Sequence, residues 1–254
     1  MKTDVLLKDL AAVFRWTARL NMHEGIANHF SIKLDQEDNN NNNNSFYINR
    51  PGQHFSKMKA SDLLLVNEND IDMLRDRPDI IDPTAVNIHG TIHSKVKDAN
   101  CILHCHSKYA TILSTFADMT LPPIDQNTMR YFNRITYYDD FDGMGFMEES
   151  EKMAASMNNS RRGGKTNNVM LMANHGVLTI GKNVGEAFDH LYYFEKSCET
   201  YITALQTRQP LNVVSDAVAE KTALDWENYP TDSDQLHLNA IRSILDMEDE
   251  TYKS

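Results

Sequence analysis

Cysteine is scarce in this chain, basic residues are outnumbered, and long apolar runs are missing. The three cysteines, Cys101, Cys105 and Cys198, are too few and too irregularly spaced for a secreted disulfide framework or a cysteine zinc site. A reducing compartment fits that usage, and the expected location is cytoplasmic. Charges interrupt the opening MKTDVLLKDLAAVFRW, which leaves neither a signal-peptide core nor a membrane-spanning stretch there. With 25 basic against 36 acidic residues the formal charge is -11, which repels nucleic-acid phosphates and anionic lipid. Neither nucleic acid nor a membrane is therefore an expected partner. What remains is ordinary globular usage, 41% hydrophobic and 24% charged, so a disordered or fibrous class is not supported. A chain of 254 residues can bury a substantial core as one large domain.

The periodicity predicts a mixed α/β order. Leu6, Leu7, Leu10, Phe14 and Leu20 recur at helical steps over residues 4–20, and residues 25–34 and 45–49 are strand-like. The polar run between them, with Asn39 to Asn44, reads as a hairpin loop. A short buried strand is expected at 63–66. Asp82 is then an N-cap and Pro83 a first helical residue for a helix over 84–96. Cys101 to His106 is a strand candidate, followed by Ser107 as a cap and a helical segment over 109–116. Residues 121–145 read as loop-rich with a strand near 135–138, and residues 159–168 as a polar turn region. Two strands, 169–172 and 177–180, flank Ala173-Asn174-His175-Gly176. Asn183 with Glu186 forms a capping box for a long helix, and two more helices are expected near 215–226 and 234–247.

The ten histidines carry the chemistry. In a strand, residues i and i+2 share a face, so His104 and His106 project two imidazoles the same way. A catalytic divalent ion needs a third protein ligand and an open position, and His175, at a bend between two strands, can supply it. Two histidines in H-x-H are by themselves weak evidence, since such pairs are often surface or core residues. His89 and His93, four apart on one helix face, form a rival H-x-x-x-H site. Gly90 stands where a zincin protease would need its glutamate, so the pair better fits a wall of the pocket beside the metal, serving proton transfer or substrate binding, or else an interface or structural pair. His23, His29, His54, His190 and His237 have no partner at ligand spacing and default to structural or exposed roles.

A histidine at 89, H-x-H at 104–106, NHG at 174–176 and the following VLTIGKNVGEAFDHLYYFE together resemble the class II aldolase/adducin superfamily, from about Leu10 to Gln206. The resemblance implies an α/β/α sandwich around a largely antiparallel sheet, in residues 1–210; residues 211–254 read as a helical extension of the same domain and, from amphipathic and aromatic pieces such as Trp226 and Tyr229, a candidate subunit contact. It implies His104, His106 and His175 as ligands of a divalent ion, Zn2+ first with Mn2+ or Fe2+ as substitutes, and a homotetramer. Its sugar-phosphate aldolases carry a catalytic glutamate where this chain has Ala85. Of their phosphate pocket, the asparagine matches Asn28, a threonine-glycine turn falls on Pro51-Gly52, and a serine pair falls on Pro83-Thr84. Their catalytic tyrosine falls near Gln126.

These departures point away from a phosphorylated ketose and toward the decarboxylase-like and adducin-like members. Aldol cleavage and decarboxylation both leave an electron pair beside a carbonyl oxygen, which a divalent cation stabilises. The expectation is thus a metal-dependent carbon–carbon lyase acting on a small oxygenated acid or carbonyl compound. His89 and His93 are its candidate catalytic residues, and Asn28, Arg50 and Gln126 its candidate substrate contacts. Arg50 suits a carboxylate held bidentately. The competing expectation, from the loss at Ala85, is an adducin-like interaction module that keeps the fold without the chemistry.

Overall fold

The computed structural model describes residues 2–34, 45–140, 143, 147–160 and 165–254. The asparagine run read as a hairpin loop lies outside them. Helix α1 (Lys2–Arg19) leads into β1 (His29–Lys33), β2 (Phe46–Ile48), β3 (Leu64–Val66) and the short α2 (Ile71–Leu74). Then follow α3 (Pro83–Lys95), β4 (Cys101–Cys105), α4 (Lys108–Ser114), α5 (Gln126–Arg130), β5 (Ile135–Tyr138), α6 (Met147–Asn159), β6 (Val169–Met172) and β7 (Gly176–Gly181). The chain continues through the long α7 (Val184–Gln206) to α8 (Asp216–Glu227) and α9 (Ser233–Glu248). Among the described residues the strands form one sheet in the order β3-β2-β1-β4-β7-β6-β5. Every pairing is antiparallel except β5 with β6, which α6 connects.

Strand alternation divides the sheet into two unlike faces. Phe30, Ile32, Cys101, Leu103, Cys105, Leu171 and Val177 join α1, α4, α7 and α9 in the larger core, which also holds Cys198. On the opposite face Ile102, Met170, Met172, Leu178 and Ile180 pack against Ile88 and Ile92 of α3 and Met153 and Met157 of α6. The result is a helix–sheet–helix sandwich. All three cysteines are free and buried, and burial pushes their thiols up from the usual range.

Local chemistry explains most boundaries. Asp82 caps α3, its Oδ1 accepting from the Thr84 and Ala85 amides with Pro83 in the first turn, where its missing N–H costs nothing. Strand β1 is shorter than residues 25–34, because Gly25 takes a left-handed turn at φ 56. Asn183 caps α7 by accepting from the Glu186 amide, but the reciprocal arm of a capping box is absent. Glu186 instead accepts from the Lys182 amide at 2.6 Å. Helices α2, α5 and α6 are not signalled by the sequence; the residues that α6 buries, Glu149, Ser150, Met153, Ala154 and Met157, mix charged, polar and apolar types and leave no clean apolar stripe in MEESEKMAASMNN. The C-terminal helices lie on their own chain, α8 on α5 and α9 on α1 and α7. No described helix is long and apolar enough to cross a membrane.

Candidate metal centre

The face of the sheet toward α3 is where the histidines gather. His104 follows Ile102 onto that face, and the chain runs out of β4 at His106, two residues on. His175 arrives from the bend between β6 and β7. There Asn174 adopts a left-handed φ of 53, which asparagine tolerates better than most residues, and the His175 amide closes the turn on the Met172 carbonyl at 3.1 Å. The ligand-capable nitrogens of His104, His106 and His175 all lie within 4.8 Å of one another. Gly176 makes this approach fit: a β-carbon there would stand 2.8 Å from the Cys105 carbonyl oxygen and 3.0 Å from the His106 ring.

The tautomers are set by acceptor-only partners. His104 Nδ1–H donates to the Val177 carbonyl at 3.0 Å, and His106 Nδ1–H donates to the Glu24 carboxylate at 2.5 Å. Each ring is left with Nε2 to offer, and His106 Nε2 is buried without a hydrogen-bond partner. An orphaned buried nitrogen among converging imidazoles fits a divalent cation, whose histidine ligands commonly carry such a carbonyl or carboxylate on the other nitrogen. Burial holds His104 well below the ordinary histidine range, and burial with the neighbouring His106 lowers His175 to about 4, so both favour the neutral form that binds an ion.

Ser107, foreseen as the cap of α4, does not cap it with its own hydroxyl. Buried Glu195, reaching across from α7, accepts from Ser107 Oγ at 2.6 Å and from the Tyr109 and Ala110 amides at 2.9 Å each. This pins the chain directly after His106. Replacing Glu195 with alanine strands these three donors and should lower unfolding free energy by about 3 kcal/mol, measured in urea, with Glu195→Gln milder.

Behind the trio lies a second, fully buried group that spacing in the sequence does not reveal. His29 Nδ1 meets His89 Nε2 at 2.7 Å, Ser31 Oγ meets His89 Nδ1 at 2.5 Å and His93 Nε2 at 2.7 Å, and His93 Nδ1–H donates to the Ala99 carbonyl at 2.7 Å. His29 is the register partner of His104, and their ring centres are 4.8 Å apart. Burial depresses all three histidines, His29 to about 4 and His93 to about 3, with Asp82 partly opposing the shift at His29. Asp82 itself, which burial would raise, is held below its ordinary value by Thr84 and by His29. Strand alternation turns His29 and Ser31 toward α3, opposite the core residues Phe30 and Ile32. His23 and His54, also without partners in the sequence, meet through their Nε2 atoms at 3.0 Å.

The other foreseen residues divide. Asn28 is buried next to His29: its Oδ1 accepts from the amide of Glu24, whose carboxylate holds His106, at 2.6 Å, and its Nδ2 has no partner. His89 and His93 are placed against β1 rather than among the three ligands, with both ring nitrogens of each engaged. Arg50 is exposed at the turn after β2, and Gln126 is exposed on α5, its carbonyl accepting from Trp226 Nε1 at 3.2 Å. Neither bonds to the histidine cluster.

A largely antiparallel sheet covered by helices on both faces, with three histidines drawn from one strand and a distant bend, defines a candidate metalloprotein of the aldolase type. Residues 8–202 match the model of the class II aldolase and adducin N-terminal domain, and the chain belongs to that family. The aldolase II superfamily protein of Pseudomonas syringae superposes with a TM-score of 0.81 at 25% identity, over 99% of this chain and 96% of that one. Decarboxylase NovR of Streptomyces niveus is 25% identical over 227 residues, 86% of this chain and 79% of its own. Human beta-adducin is 28% identical over 163 residues, 64% of this chain but 21% of the adducin.

Proposed function

We propose that this chain is a divalent-metal-dependent carbon–carbon lyase, of decarboxylase or aldolase type, acting on a small oxygenated acid or carbonyl compound. The observation that carries the reading is the buried, unpartnered Nε2 of His106 beside His104 and His175. A bound ion, Zn2+ first with Mn2+ or Fe2+ as substitutes, would supply Lewis-acid stabilisation of the negative charge that develops on a substrate oxygen. His104, His106 and His175 would hold it, with Val177 and Glu24 keeping two of the rings in the ligating tautomer.

The remaining work falls to the chain's own groups. Asn28 offers an unused buried N–H pair to a substrate oxygen. Arg50 is free to swing onto a substrate carboxylate, and Gln126 is assigned a substrate contact only through the family match. His89 and His93 act from behind, holding the ring that faces the site. The decarboxylase reading draws on the likeness to NovR, and aldol cleavage remains its sibling because both reactions need the same charge stabilised. Cytoplasmic location and a homotetramer complete the proposal.

A second reading has its own support. Ala85 stands where the sugar-phosphate aldolases place their glutamate, and the match to beta-adducin spans most of the same domain, so an interaction module that keeps the fold is the alternative. Metal analysis separates the two. The lyase requires about one ion per chain after loading and dialysis, falling to background in His104→Ala and His175→Ala while the variants stay folded. A wild-type chain that retains no ion, and whose thermal midpoint does not move on adding Zn2+, would establish the module instead.

A further inference from the structure

The buried group behind the trio has only one arrangement of protons when its members are neutral. The Ala99 carbonyl can only accept, so His93 carries its proton on Nδ1 and leaves Nε2 as an acceptor. Ser31 must then donate its single hydroxyl proton to His93 Nε2, and its oxygen accepts from His89 Nδ1–H. His89 Nε2 is consequently bare and accepts from His29 Nδ1–H. The last atom in the series, His29 Nε2, carries a lone pair and bonds to no group among the described residues.

That atom belongs to a ring packed against His104 and within electrostatic reach of His106 and His175. Asp82, the nearby carboxylate, spends Oδ1 on capping α3 and makes no hydrogen bond to the ring. Two unspent polar atoms on this stretch of chain are therefore the acceptor at His29 Nε2 and the buried donor at Asn28 Nδ2. A carboxylate or ketone oxygen can satisfy the donor but not the acceptor. A hydroxyl can satisfy the acceptor.

We infer that His29 is a specificity-determining residue whose Nε2, held bare by the series His89, Ser31, His93 and Ala99, accepts a hydrogen bond from a substrate hydroxyl. The preferred substrates are then hydroxy acids or hydroxy ketones over their deoxy counterparts. This rests on the lyase reading of the same site and narrows its substrate class.

The test uses full-length protein loaded with Zn2+ and two probes, glycolate and acetate, titrated by calorimetry, together with 15N-histidine NMR. In the wild type, NMR should show His29, His89 and His93 all protonated at Nδ1 and not at Nε2. Glycolate chelates better than acetate by itself, so the informative quantity is the change in preference between proteins. His29→Phe should cut the glycolate-to-acetate preference by about tenfold, the worth of one buried hydrogen bond, with ion content unchanged. Ser31→Ala touches neither ion nor probe, yet by releasing the His89 tautomer it should lower the same preference and add an Nε2-protonated population at His29. The proposal is overturned by a wild-type His29 protonated at Nε2, or by an unchanged preference in both variants while each still holds its ion. Failure of the wild type to bind Zn2+ overturns the lyase reading and is seen directly in the ion content, whereas the NMR result stands or falls without it.

Discussion

Gly176→Ala should weaken ion binding severely while leaving every ligand in the sequence. The added methyl would meet the Cys105 carbonyl oxygen at 2.8 Å, closer than carbon tolerates, and the His106 ring at 3.0 Å, a contact tight enough to push the ring. Neither obstacle is the loose end of a flexible side chain: one is strand backbone, and the other is a ring tied to Glu24. Relief requires β7 to move away from β4, which carries His175 away from His104 and His106. Overpacking of this kind costs about 1 to 3 kcal/mol of stability. The larger effect falls on the ion, because three nitrogens must converge on one point, and affinity should drop by at least about a hundredfold. Calorimetry with Zn2+ beside a urea unfolding curve checks both parts; a variant destabilised as expected but binding Zn2+ like the wild type would refute the geometric account.

The second large effect is acid sensitivity with an unusually early onset. His89 and His93 are buried and neutral, with His93 lowered to about 3, whereas in the unfolded chain both titrate near the ordinary histidine value of about 6.5. A base whose folded pKa is depressed binds protons more readily when unfolded. Its stabilising contribution is therefore complete above about pH 6.5 and is lost as pH falls toward the folded value. Each such histidine gives a slope of about 1.4 kcal/mol per pH unit, so the pair approaches about 3 kcal/mol per unit between pH 6 and 4. That exhausts the stability of an ordinary domain before most carboxylates protonate. Chevron or urea midpoints measured with chelator at pH 7, 6, 5 and 4.5 read the slope directly. A flat profile across that range would mean these imidazoles are charged or exposed in the native protein.

How much of this was legible beforehand follows from periodicity. H-x-H on a strand is a period-two signal, and Asp82-Pro83 or Asn174-His175-Gly176 are local turn and cap chemistry, so the three histidines and the turns that carry them can be read along the chain. His29 could not, because its significance comes from pairing across strands with His104 and from facing α3, both long-range facts with no spacing of their own. The same holds for Glu24 and Glu195, which act on His106 and its neighbours from 82 and 88 residues away. Helical spacing pairs His89 with His93, but it cannot say whether a face meets a pocket or a strand. Here it meets Ser31. Short helices such as α5 escaped because their stability comes from packing on α7 and α8 rather than from propensity.

Strand alternation also leaves Cys101 and Cys105 in the larger core, pointing away from the histidines of the same strand, with Cys198 facing them from α7. Alkylating reagents can therefore reach a sulfur only when that core opens. The rate at which iodoacetamide modifies the native protein is a built-in clock for global opening, and it can be run with the ion present or stripped. Comparing the two rates measures whether, and how far, added cation slows unfolding, with no probe introduced and no catalytic assay needed.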